Sequence, residues 1–298
     1  GDKSRWSALA AVLDLVGDGL ITVPIQVDAT CSGLQHLSAM AGDEVVATAT
    51  NVIPSDDGCR RDPYITTAEA CGRKRSEVKR PVMCIPYGIS VSGMVDQLIE
   101  EGICSSRMEA QGLAETIWAS CEELMSGVLG IMRFLKKAGK MLAEAGIRPS
   151  WTTPSGFTVV MPTAVLQRRI SIMDAKGNMV KTQFGVEARD LVDTNQTVRG
   201  MAPNYVHSYD AALVALVVSR WDGPIVCIHD CFATTADRMD DLRALIYECF
   251  VELYGDDAIL KARNEFVHSA PADVSIPLTP QRREMSLSAT SLSEYMYS

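Results

Sequence analysis

The segment that most restricts how this chain can fold runs Ile25-Gln26-Val27-Asp28, then Ala29-Thr30-Cys31-Ser32-Gly33, then Leu34-Gln35-His36-Leu37-Ser38-Ala39-Met40. A short β-branched run gives way to small residues and then to apolar positions at helical spacing, which predicts strand, tight turn and helix. A carboxylate at the end of a buried strand is costly unless a cation, hydrogen-bond donors or a proton compensates it. Asp28 therefore either caps the helix that follows, a position that favours Asp, or marks a site that takes a cation.

The rest of the chain supplies further punctuated elements. Ser4 to Gly17 has helical spacing and stops at glycine. The helix that follows Asp28 is expected to run on through Val45 and Val46 toward Val52, where Pro54-Ser55-Asp56-Asp57-Gly58 breaks it. A polar, basic connector and a helix from about Thr66 to Gly72 come next. In Arg75 to Gly88, helical spacing puts Arg75, Lys79 and Met83 on one drifting face with Tyr87 a step beyond. Two cations and a ring on one side can hold a triphosphate and stack on a base. Pro81 and Pro86 each remove a backbone donor, so the helix is expected to start or kink near Pro81 and to distort at Tyr87-Gly88.

Residues 105–142 read as two core helices, one on Leu113, Ile117 and Trp118, the other on Leu124, Val128, Ile131 and Leu135. Trp151 to Phe157 is a turn entering a strand, and Arg168 to Phe184 a hairpin around Gly177-Asn178. Pro203 is expected to open a helix reaching Trp221. Ile225 to Thr234 reads as one apolar strand that ends in His229-Asp230. An amphipathic helix follows from Asp240 to Gly255, and the tail from Pro271 looks loosely ordered until its closing aromatics, Tyr295 and Tyr297.

The net charge of −9 argues against a protein that coats nucleic acid through general basicity. Positive charge is concentrated instead, in Arg60 to Arg80 and in Arg168 to Arg189, which serves equally as a solvated face or a local nucleic-acid channel. The nine cysteines form no C-x-x-C pair, so neither a zinc site nor a disulfide framework is indicated, and a reducing cytoplasm suits them. No apolar run is long enough to span a bilayer, and no membrane partner is expected.

Asp28-Ala-Thr-Cys-Ser-Gly-Leu-Gln-His36 and Arg75-x3-Lys79-Arg80-x2-Met83-x3-Tyr87-Gly88 resemble motifs A and B of the single-subunit DNA-directed RNA polymerases of phages and mitochondria. Three further resemblances follow in the family's order: Trp151-x-Thr-Pro-x-Gly-Phe157, Pro203-Asn-x-Val-His207-Ser-x-Asp210, and Ile225 to Thr234 as motif C. Small departures are Asp28-Ala29-Thr30 where the family has D-G-S, and Ala233 where motif C commonly has Gly.

The resemblance implies an α+β fold: a right-hand polymerase palm, an antiparallel sheet with helices, plus helical fingers. It divides the chain into palm with motif A (1–60), fingers with motif B (61–150), palm with a specificity-type hairpin and motif C (151–270), and a C-terminal tail or foot (271–298). It implies nucleotidyl transfer from NTPs to the 3′ end of RNA on a DNA template, with Asp28 and Asp230 holding two Mg²⁺ ions. Lys79 would meet the triphosphate with Arg75 as a second contact, and Tyr87 would sort ribose from deoxyribose. Gly88, His207 and His229 fall beside the substrate or primer end, and Arg168, Arg169 and Lys176 are the candidate DNA contacts.

Family members carry an N-terminal domain and a thumb ahead of motif A. The expectation is therefore a chain lacking both, completed by a second polymerase chain or cut from a longer one, in the cytoplasm of a phage-infected host. Two other functions compete with this: an inactive, polymerase-derived nucleic-acid-binding or virion component, and a related DNA polymerase. The intact Asp28, Lys79, Tyr87 and Asp230 argue against the first, and the D-x-x-C-S-G-x-Q-H string resembles the RNA enzymes.

Overall fold

The computed structural model describes residues 12–13, 16, 23–173, 179–188 and 191–298, so most of the expected N-terminal helix, Lys176 and the Gly177-Asn178 turn lie outside the described residues. Strand β1 (Ile25–Asp28) leads through Ala29 to Cys31 into helix α1 (Ser32–Ala41). The strand is not the buried one that its sequence suggested. Only Val27 faces the core and Ile25 is exposed, because the sheet it joins is open on one face. Helix α1 is the buried element, with all of its residues shielded from solvent.

The expected continuous helix to Val52 is two helices. Gly42 adopts a left-handed φ of 63° and caps α1, and a Cβ there would lie 1.9 Å from the Arg283 carbonyl oxygen. Helix α2 (Glu44–Ala49) then restarts from Asp43, whose carboxylate accepts the Val46 N–H. Asn51, at φ 59°, tethers the basic connector: its amide donates to Thr30 Oγ1 and to the Arg61 carbonyl, and it accepts from the Arg61 N–H.

Helix α3 (Pro63–Ala70) begins earlier than expected because Asp62 caps it and Pro63 fills its first position. Helix α4 (Arg75–Met83) likewise starts before Pro81, since the Glu77 carboxylate reaches back to the Lys74 N–H at 2.8 Å. Pro81 lies inside it and the helix ends at Met83, leaving Tyr87 on the turn beyond.

Helix α5 (Val91–Glu100), which the sequence reading did not single out, precedes the two anticipated core helices, α6 (Arg107–Leu124) and α7 (Ser126–Glu144). A short ribbon, β2 (Ser150–Thr152) with β3 (Thr158–Val160), buries Trp151, whose indole N–H donates to Ser208 Oγ at 2.9 Å. A longer antiparallel ribbon, β4 (Ala164–Met173) with β5 (Met179–Ala188), is the predicted hairpin extended at both ends.

Helix α8 (Thr194–Arg220) starts well before Pro203, which was expected to open it, because Asp193 caps the Gln196 N–H. Pro203 is interior, so His207 sits in mid-helix. Helix α8 packs along α7, where a Cβ on Gly139 would come within 2.9 Å of Met201 Cγ.

The apolar run Ile225 to Thr234 is not one strand. His229-Asp230 form a two-residue loop between β6 (Val226–Ile228) and β7 (Cys231–Thr234), with His229 at φ 57°. Pairing places β7 between β1 and β6 in an antiparallel three-stranded sheet. Helices α9 (Met239–Leu253) and α10 (Ala258–Ser269) close the packing.

The tail is docked rather than loose. Met296 and Tyr297 are buried, Gln35 Nε2 donates to the Met296 carbonyl at 3.0 Å, and Ala29 bridges Tyr297 antiparallel to β1. No helix among the described residues is long and apolar enough to cross a membrane.

Candidate active site

Sheet register decides the geometry of the two acidic residues. Asp28 stands opposite Cys231, so Asp230 in the adjoining loop comes up beside it, and both line one cavity of about 490 Å³. Burial first, and then the Asp28 charge, push the Asp230 carboxyl above the usual carboxylate range, while the Ser32 hydroxyl pulls it the other way. Two carboxylates brought to one cavity, one of them partly buried, are a donor set suited to hard divalent cations. Among the described residues no group of three His, Cys, Asp or Glu side chains forms a metal cage. That fits Mg²⁺, which commonly takes one or two carboxylates and completes its shell with water and substrate phosphates.

Helix α4 also lines this cavity, with Arg75, Lys79 and Met83, the face that helical spacing predicted. Arg75 is held by Asp62, whose Oδ2 accepts from its Nε at 2.8 Å and lies 2.7 Å from its Nη2 as an ion pair. The guanidinium lies 5.3 Å from the centre of the Tyr64 ring and the Lys79 ammonium 6.0 Å from the same ring. Among the described residues no carboxylate pairs with Lys79.

Tyr87 stands at the junction with a second cavity of about 880 Å³, which shares Ser32, Tyr87 and Asp230 and is walled by α8 through His207, Asp210 and Val214. The Tyr87 and His207 rings stack with centroids 4.6 Å apart. Burial, reinforced by Asp210, pushes the Tyr87 phenol well above its ordinary value, against a lowering hydrogen bond from Ser32. Gly33 permits the approach of this turn, since a Cβ there would meet Pro86 Cβ at 2.7 Å and the Tyr87 hydroxyl at 3.1 Å.

Burial raises Asp210 as well, but His36, Ser32 and His207 together outweigh it and hold the carboxyl below its usual range. His36 Nε2 lies 3.0 Å from Asp210 Oδ1, within ion-pair range although off the hydrogen-bond axis, and its Nδ1 contacts the Tyr254 hydroxyl.

The remaining candidates divide. His229 borders the larger cavity. Gly88, at φ 80°, lines neither cavity and instead lies against Lys136 and Pro203. Arg168 and Arg169 are exposed on β4 and line neither cavity, and Lys176 lies outside the described residues. Sequence reasoning missed Ser32, Asp62, Tyr64 and Asp210 as site residues. Ser32 and Asp210 stood inside quoted motifs and could have been flagged as polar groups flanking an acidic or cationic position. Asp62 and Tyr64 carried only a helix-start signal.

Residues 18–296 match the sequence profile of the DNA-dependent RNA polymerase family. The chain belongs to that family, in its phage and mitochondrial branch. Among its curated relatives, the DNA-directed RNA polymerase of Pseudomonas phage phiKMV is 28% identical over 274 residues, covering 79% of this chain and 33% of that protein. DNA-directed RNA polymerase 1, mitochondrial, of Arabidopsis thaliana is 28% identical over 321 residues, covering 92% of this chain and 31% of the plant protein. The chain thus spans about a third of the length of these relatives. A looser overlap, with TM-score 0.45 and 16% identity, covers 88% of this chain and 39% of the POL domain of Pol1 from M. smegmatis in complex with DNA primer-template and dNTP.

Proposed function

We propose that this chain carries the nucleotidyl-transfer centre of a phage-type DNA-directed RNA polymerase, adding NTPs to the 3′ end of RNA on a DNA template. The observation that carries the reading is one cavity lined both by Asp28 and Asp230 and by Arg75 and Lys79. Asp28 and Asp230 hold two Mg²⁺ ions, which when bound supply a Lewis acid for the attacking 3′ hydroxyl and for the departing pyrophosphate. Lys79 and Arg75 face the triphosphate and offset the charge that develops as it is cleaved. Tyr87, backed by Ser32 and stacked on His207, contacts the ribose, and a substrate without the 2′ hydroxyl leaves that polar group unmatched. The larger cavity along α8 takes the primer end and template, with His229 beside it.

The β4–β5 ribbon, carrying Arg168 and Arg169, reaches DNA outside the cavity. The sheet and α8 form the palm, and residues 61–150 the fingers.

Primer extension with NTPs and Mg²⁺, run with any polypeptide that copurifies, tests this. Asp28→Ala and Asp230→Ala each lower incorporation on the order of 10³-fold or more while the melting profile persists. Residual synthesis near the wild-type rate in both variants excludes the two-metal assignment. Efficient dNTP use by the wild type transfers the chain to a DNA polymerase reading.

A further inference from the structure

The cation that most needs to stay charged here is the one without a carboxylate partner. Arg75 is held by Asp62 through one hydrogen bond and a second ion-pair contact, whereas among the described residues Lys79 pairs with no carboxylate and has the face of Tyr64 near its ammonium. A carboxylate on Lys79 would restrain the side chain but cancel its charge and compete with any incoming phosphate. An aromatic face attracts a cation through its quadrupole and leaves the net charge intact.

Tyr64 is well placed for this. It is 6% exposed, lies in the first turn of a helix whose N-terminus Asp62 caps, and lines the cavity together with Cys31 of the turn that follows Asp28. One side chain thus lines the cavity and meets both of its α4 cations.

We propose that Tyr64 is a positioning residue whose ring holds the Lys79 ammonium, and with Asp62 the Arg75 guanidinium, in register with a nucleoside triphosphate bound beside Asp28. The identity of the ligand rests on the polymerase reading above. The ring face does the positioning. A Lys79 left without it would have to give up more rotamer freedom on binding.

The test is equilibrium binding of Mg²⁺-ATP to the purified protein, with melting temperature followed in parallel. Tyr64→Phe, which keeps the ring, binds within about twofold of wild type. Tyr64→Leu, which loses it, binds roughly three- to tenfold more weakly. Combined with Lys79→Ala, Tyr64→Leu weakens binding by clearly less than the product of the two single effects, because the ring acts through the cations.

If Leu does not fold at this position, the same cycle is run with Tyr64→Met. Wild-type affinity in the ringless variant, or strict additivity in the cycle, overturns the role of Tyr64 while a weakened Lys79→Ala leaves the triphosphate site standing. A wild type that does not bind Mg²⁺-ATP, or binding indifferent to Lys79→Ala, overturns the site and this role together.

Discussion

Asp28 and Asp230 reach one cavity from two different kinds of backbone. Asp28 ends a strand paired on both sides: β7 runs along one edge, and on the other its N–H donates to the Ser298 carbonyl at 3.3 Å while its own carbonyl accepts from the Ser298 N–H at 3.1 Å. Tyr297, 1% exposed and edge-on to Phe232, anchors that second edge. Asp230 has none of this, sitting in a two-residue loop beside a residue in the left-handed region, on a hairpin whose outer strand is exposed at Val226 and Ile228. One carboxylate is held by strand pairing on both sides and the other is carried on a two-residue turn. The comparison teaches that two carboxylates brought to one cavity can be held very differently by the backbone, and that the one on the turn, Asp230, is the one whose carboxyl is raised, first by burial and then by the Asp28 charge.

The largest effect should come from removing what braces the strand of Asp28. Tyr297→Ala deletes a buried aromatic and is expected to cost about 3–5 kcal/mol in chemical denaturation. Hydrogen exchange should rise first at the Asp28 and Thr30 amides, which donate to the Ser298 and Met296 carbonyls. A stable variant with those amides still protected would mean that the tail does not brace β1.

The turn gives a smaller number. His229→Val forces a β-branched residue into φ 57° and should destabilise by about 1–2 kcal/mol, while His229→Gly should leave stability unchanged or improve it. Equal midpoints for the two would remove the strained turn from the comparison.

What could be read in the sequence follows the same division. The elements set by local periodicity, α1, α6, α7 and the β4–β5 hairpin, were legible because their patterns repeat within a few turns or residues. The face of α4 was legible for the same reason, despite Pro81. Three features were not. The tail pairing links Ala29 to Tyr297, and no local pattern encodes a bond across that separation. The loop at His229-Asp230 hid inside an apolar run because a two-residue turn without Gly or Asn lacks the usual punctuation. Helix α8 was mis-started because Pro203 fits a first helical position as well as it fits the interior of a helix packed tightly enough to tolerate it. In the site itself, the acidic and cationic residues stood out by type, whereas Tyr64 matters only through where α3 places its ring.

The smallest effect probes the burial and the Asp28 charge that together raise the Asp230 carboxyl. A carboxyl held above its unfolded value binds more protons in the folded state, so its contribution to stability falls as pH rises from the ordinary 3.8 through the raised value, and the full penalty stands above it. Asp230→Asn removes that penalty. Without divalent ions the variant should be more stable than wild type at neutral pH, by under about 1 kcal/mol because the group is partly solvated and its interactions are screened. The advantage should shrink as the pH falls through the raised value toward 3.8. Adding Mg²⁺ should reverse the order, since a ligand bound only by the folded state stabilises the wild type by mass action and the amide variant much less. Thermal melts at pH 4 and pH 7, each with and without Mg²⁺, measure all of these terms. A wild type already at least as stable as Asp230→Asn at pH 7 without Mg²⁺ would mean that burial and the Asp28 charge do not penalise Asp230 enough to matter, and the contrast between the strand-held and the turn-held carboxylate would then be one of backbone alone.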